Sequence, residues 1–82
     1  MLKFCDVKLG SKGQDVIVLQ SCFRASGAVG ANGKPIDVDG ISGSNTVKAI
    51  NDFRAAAKAY GCKIDGKDGV FNASCWSVLF GG

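Results

Sequence analysis

The 82-residue chain has no histidine and no glutamate, one proline, and one each of Met, Trp and Tyr. Without His, a Cys-His nucleophile pair is excluded and a catalytic or structural zinc site of the usual kind is not expected. Without Glu, the seven Asp residues are the whole supply of acidic side chains. The longest uninterrupted apolar run, Val16 to Leu19, is far too short for a membrane span or for the apolar core of a secretory signal. A role outside a cell would then require release by lysis, a non-classical route, or membership of a longer protein. No two of Cys5, Cys22, Cys62 and Cys75 have Cys-x-x-Cys spacing, so a thioredoxin-type dithiol is not expected. An even number in a short chain allows two disulfides in any of three pairings. Cys22, Cys62 and Cys75, however, fall at or beside apolar positions, and the expectation is reduced thiols serving as small core fillers.

What remains is ordinary globular material. Hydrophobic residues are 46% of the chain and charged residues 21%, which excludes the composition of disorder. A chain of this size buries only about 60% of its unfolded surface, enough for one small domain with a thin stability margin. The net charge of +3 is mild. Its basic residues are spread evenly along the chain, unlike the concentrated face of a nucleic-acid binder, so no nucleic-acid partner is expected.

Apolar periodicity places three helices. Residues 14–26 carry Val16, Leu19 and Phe23 at helical spacing, with Asp15 in the first turn and Gly27 as the stop. Residues 28–38, AVGANGKPIDV, read as a loop with a short extended piece near Ile36. Residues 45–60 place Ala49, Ile50, Phe53, Ala57 and Tyr60 on one stripe, ended by Gly61. A short helix over about 73–80 bears Trp76, Leu79 and Phe80. The fold class is therefore mostly α, a compact three-helix domain with turn-rich loops over residues 1–82, and a monomer.

The last two helices are introduced by related stretches, DGISGSNTVKAI at 39–50 and DGVFNASCWSVL at 68–79. In each, Asp-Gly permits a turn with positive φ, and the aliphatic that follows, Ile41 or Val70, is expected to plug into the core. A second flexible residue, Gly43 or Asn72, then leads into a helix whose first amides are met by Ser44, Asn45, Thr46 or Ser74. A fainter copy, LGSKGQDV at 9–16, has Gly10 and Gly13 at the separation of Gly40 and Gly43.

In this order and with these gaps, the motifs resemble the peptidoglycan-binding domain family of the first type, over residues 9–79. The matching positions are Gly10, Gly13, Asp15, Val16, Leu19 and Gln20 in the opening motif. Asp39, Gly40, Gly43, Thr46 and Phe53 match the middle one, and Asp68, Gly69, Trp76 and Leu79 the last. Ser42 stands where the family has an aromatic, Arg54 where it has Gln, Asn72 where it has Gly, and Cys75 where it has Thr. The resemblance implies a three-helix, non-catalytic module that binds peptidoglycan, through glycan strand or peptide stem, and brings a wall-lytic hydrolase domain to its substrate, in cis or in trans. It places the chain at a bacterial cell wall, as part of a bacterial or bacteriophage endolysin or a similar enzyme. A pro-segment or a protein-protein adaptor of the same fold is the alternative.

The expected contact surface surrounds the two Asp-Gly loops: Asp39, Ser42, Asn45, Asp68 and Phe71, with Arg54 and Tyr60 further out. Gly10, Gly13, Gly40, Gly43, Thr46, Gly69 and Trp76 are expected to be architectural, with Trp76 a core anchor. Tyr60, near a helix end, suits either a buried ring or an exposed contact. An enzyme is not expected, because the Asp residues sit in turns, at helix starts or on an exposed helix, and so short a chain has no second lobe to form a cleft. No cofactor, metal or membrane partner is implied.

Overall fold

In a computed structural model, which describes residues 5–80, the chain folds into three helices joined by turn-rich loops. The extreme ends of the expected 1–82 unit lie outside the described residues. Helix α1 spans Gln14–Ser26, α2 Ser44–Ala59 and α3 Ala73–Leu79. The described residues hold no extended strand, only isolated antiparallel bridges between Val7 and Phe71, Lys12 and Ile41, and Val29 and Pro35. No helix among them is long and apolar enough to cross a membrane.

The two longer helices end by the same device. Beyond α1, Gly27 takes φ 84° and Ala28 N–H reaches back to Phe23 O at 3.0 Å. Beyond α2, Cys62 N–H does the same to Ala57 O at 2.9 Å, past Gly61. Both closures satisfy a carbonyl that the helix end would leave unpaired. Asp15 sits in the first turn of α1 as the dipole favours, and its carboxylate also accepts the Cys5 N–H at 2.7 Å.

The helices bury one continuous core: Val7, Val16, Leu19, Phe23, Ile36, Ala49, Ile50, Phe71, Cys75 and Trp76. Phe71 is its centre. Its ring lies 5.8 Å from Phe23 and 4.8 Å from Trp76, both edge to face, and 5.1 Å from Phe53. Such contacts add about 0.5–1.5 kcal/mol per pair to the burial of the rings themselves.

The segment before α1 ties the two Asp-Gly turns together. Val7 exchanges both backbone hydrogen bonds with Phe71, at 3.0 and 2.7 Å, and Trp76 Nε1 donates to Cys5 O at 3.1 Å. A few residues later Gly10 N–H donates to Ser42 O, Ser42 N–H to Ser11 O and Gly13 N–H to Gly40 O, at 2.8 to 3.0 Å. The faint third copy of the repeat thus pins the first Asp-Gly turn, and Cys5 and Val7 just before it pin the second repeat.

Several expectations are corrected by this arrangement. Pleating along each short bridge turns the second residue after Asp-Gly inward, so Ser42 and Phe71 are buried while Ile41 is 49% exposed. Gly43 and Asn72 have ordinary extended backbones, φ −94° and −97°, and supply no positive φ. Asn72 instead caps α3, accepting the Cys75 N–H at 3.3 Å, whereas α2 has no side-chain cap. Tyr60 lies beyond the α2 stripe and is 89% exposed.

Candidate functional site

The buried stripe of α1 includes one polar residue. Gln20 follows Val16 by four positions and is fully buried between Leu19 and Phe23 on the core side. Its Nε2 donates to Asp39 Oδ1 at 3.0 Å, to Ile41 O at 2.9 Å and to Thr46 Oγ1 at 3.1 Å. Its Oε1 accepts the N–H of Asp39 at 3.1 Å and of Gly40 at 2.9 Å. One amide side chain therefore satisfies both faces of the first Asp-Gly turn and fastens it to the start of α2. Gly40 has φ 78°, a conformation that favours glycine, and a Cβ there would also press on the Ile17 side chain at 3.3 Å.

The loop around the second Asp-Gly turn is held on either side of that turn by the corresponding residue of α2. Arg54 follows Ile50 by four positions, and it is 2% exposed. Its Nη1 donates to Val70 O at 3.0 Å and to Cys75 Sγ at 3.3 Å, and its Nη2 to Asp65 O at 2.9 Å and Gly66 O at 3.2 Å. The two halves obey one plan. Gln20 reaches a turn and then Thr46 of the following helix, and Arg54 reaches a turn and then Cys75. Neutral carbonyls and a thiol surround the guanidinium, and its Nε has no partner among the described residues. Around it, Asn51 Oδ1 accepts the Gly69 N–H at 2.6 Å, and Asn72 Nδ2 donates to Asp65 O at 2.8 Å.

The residues singled out from sequence are divided by this geometry. Asp39 and Asp68 are exposed at the turns. Asp39 Oδ1 also accepts the Ile41 N–H at 3.0 Å, and that bond, with the Gln20 amide, lowers its carboxyl below the ordinary value. Asn45 is half-buried beneath Gly30, where an added Cβ would approach the Asn45 Cβ to 2.5 Å. Tyr60 is solvent-exposed at the end of α2. Ser42, Arg54 and Phe71 are buried and present no side chain to a surface ligand, because the first two repeat positions and the clamp position all point at the core. Of the architectural set, Gly10, Gly13, Gly40 and Gly69 have positive φ, and Thr46 and Trp76 are buried. Gln20 and Asn51 hold the turns although the sequence pattern does not single them out as site residues. For Gln20 the signal is a polar residue in register with an apolar stripe, and the same signal marks Arg54 on α2.

Two surface depressions flank this frame. One of about 370 Å³ lies between the N-terminal segment and the start of α1, lined by Val7, Ser11, Lys12, Asp15 and Cys5 among others. There the Cys5 thiol is pushed up, chiefly by its hydrogen bond to Asp15 and by the charge of that carboxylate. The other, of about 250 Å³, lies between the end of α1 and the middle of α2 and has an aromatic floor formed by Phe23 and Phe53. All four cysteines are free thiols, with Cys75 fully buried and Cys5 exposed. No cluster of metal-ligating side chains occurs among the described residues.

No family model, curated protein or solved structure matches the chain.

Proposed function

We propose that the chain is a non-catalytic module that binds bacterial peptidoglycan and holds a wall-lytic partner, in cis or in trans, on its substrate. The observation that carries this reading is the double clamp. The polar residue of each helical motif, Gln20 after Leu19 and Arg54 after Phe53, closes on the loop that leads into the next helix, Gln20 on Asp39 and Gly40, Arg54 on Asp65, Gly66 and Val70. The order of motifs that resembles the peptidoglycan-binding domains is thereby also an order of contacts, which chance repetition of Asp-Gly would not produce.

The surface around the turns has the chemistry such a polymer needs. Asp39 and Asp68 offer carboxylates, and Ile41, Val38 and Leu9 exposed apolar surface for sugar faces, while Tyr60 exposes its ring at the far end of α2. The mild positive charge suits wall polymers bearing carboxylates or phosphates. The module acts at the wall, reached by lysis or as a piece of a larger protein. Sedimentation with purified peptidoglycan, with and without attached teichoic polymers, tests the reading. Recovery in the pellet is expected. A protein that stays in the supernatant at low salt with both preparations overturns it.

A further inference from the structure

We infer that the groove between α1 and α2 is a subsite for an alkylammonium group, a primary amine on an aliphatic stem. Identifying that amine with a diamino-acid residue of a wall peptide rests on the proposed function.

The floor of the groove is apolar, built from Phe23, Phe53, Ala49 and Ala28. Phe53 is only partly covered and lines the groove. One rim carries a carboxylate, and the other is the C-terminal end of α1, whose last turn also holds Arg24. On one side stands the Asp52 carboxylate, with its side chain 56% exposed. On the other, Ser26 and Gly27 close α1, whose C-terminal end carries the negative pole of the helix. An apolar stem over an aromatic side chain with a cation at the Asp52 carboxylate is the complement of this surface, and an anion is not. At about 250 Å³ the groove lies below the roughly 300–1,000 Å³ of sites for drug-sized ligands, which fits a single side chain.

A cation of this kind already lies at the rim. Lys48, one helical turn before Asp52, donates to its carboxylate, and the lysine side chain is 46% exposed. An exposed pair at this spacing is held weakly. An incoming ammonium takes the carboxylate from Lys48, so the internal lysine acts as a competitor, and its removal strengthens the site.

The test is an amide NMR titration of the intact chain with Nα-acetyl-lysine methylamide, beside the Nε-acetylated form of the same probe. Shifts are expected at Ser26 to Ala28 and at Ala49 to Phe53 with the free amine only. Asp52→Asn should abolish them, and Lys48→Met should tighten binding by about twofold to fivefold. No shifts at these amides, equal shifts with both probes, or weaker binding in Lys48→Met overturns the inference. Wall material separates the two readings. Sacculi that pellet the protein equally before and after chemical acetylation of their amines overturn the assignment of the amine to a wall peptide and leave wall binding standing. Sacculi that never pellet it, with the free-amine shifts still present, support the subsite and overturn wall binding.

Discussion

Gln20 and Asp39 hold each other twice. The Asp39 N–H donates to Gln20 Oε1 at 3.1 Å while Gln20 Nε2 donates back to Asp39 Oδ1 at 3.0 Å. The reciprocal pair lies inside the contact between α1 and the turn that starts α2, so a single amide sets where the second helix begins. Arg54 does this for α3 with charge added and without a carboxylate partner.

Replacing Gln20 by Ala leaves the Gly40 and Asp39 amides and the Thr46 hydroxyl without their protein partner in a buried setting. The expected loss is about 3 kcal/mol in urea unfolding, since each unmet buried group costs roughly 1–3 kcal/mol and part of the turn relaxes into water. A loss under about 1 kcal/mol would show that the turn supports itself.

Arg54→Ala removes the donors shared by Asp65 O, Gly66 O, Val70 O and Cys75 Sγ. A loss of about 3 kcal/mol is expected, with faster amide hydrogen exchange at Val70 and Phe71. Arg54→Gln, which restores the symmetry with Gln20, should recover part of it. Equal losses in the two variants would argue against a hydrogen-bonding role.

Ser42 is buried and its Oγ has no partner among the described residues. Removing the hydroxyl in Ser42→Ala should raise stability by about 1 kcal/mol, the cost of an unmet polar group. Ser42→Phe, which inserts the aromatic of the family it resembles, should instead cost about 1–3 kcal/mol by overpacking. The denaturation midpoints decide, and a stabilising Phe would reveal unfilled space at this turn.

Asp39 is held below the ordinary 3.8 by the Ile41 N–H and the Gln20 amide. A depressed carboxyl contributes stability that is fully present above its unfolded value and lost as the pH falls through 3.8 towards the lower folded value. Urea midpoints measured downward from neutral pH should therefore drop more steeply below pH 4 in the native chain than in Asp39→Asn. Parallel curves would remove Asp39 from the acid response.

Local grammar made most of the fold legible. α1 has the bounds that its Val16, Leu19, Phe23 and Gly27 require, α2 begins and ends one residue earlier than its sequence expectation, and α3 ends about one residue earlier. Periodicity and glycine punctuation act over a few residues, where sequence and geometry are tightly coupled. The direction of each repeat was not legible, because a short bridged segment reverses its faces with a shift of one residue. Ile41 was expected inside and is outside, and Phe71 was expected on the surface and is the centre of the core.

The sequence by itself therefore determined three helices, their stops, and the repetition of one turn. It also excluded histidine chemistry, since the residue is absent. Only the tertiary structure decided what the polar members of the helical stripes do. Gln20 and Arg54 have no visible partners until the loops 19 and 11 positions away fold over them, because a buried polar group is stable only where distant backbone supplies its partners. The groove between Phe23, Phe53 and Asp52 is of the same kind, a surface made where two helices separated by a long loop come together.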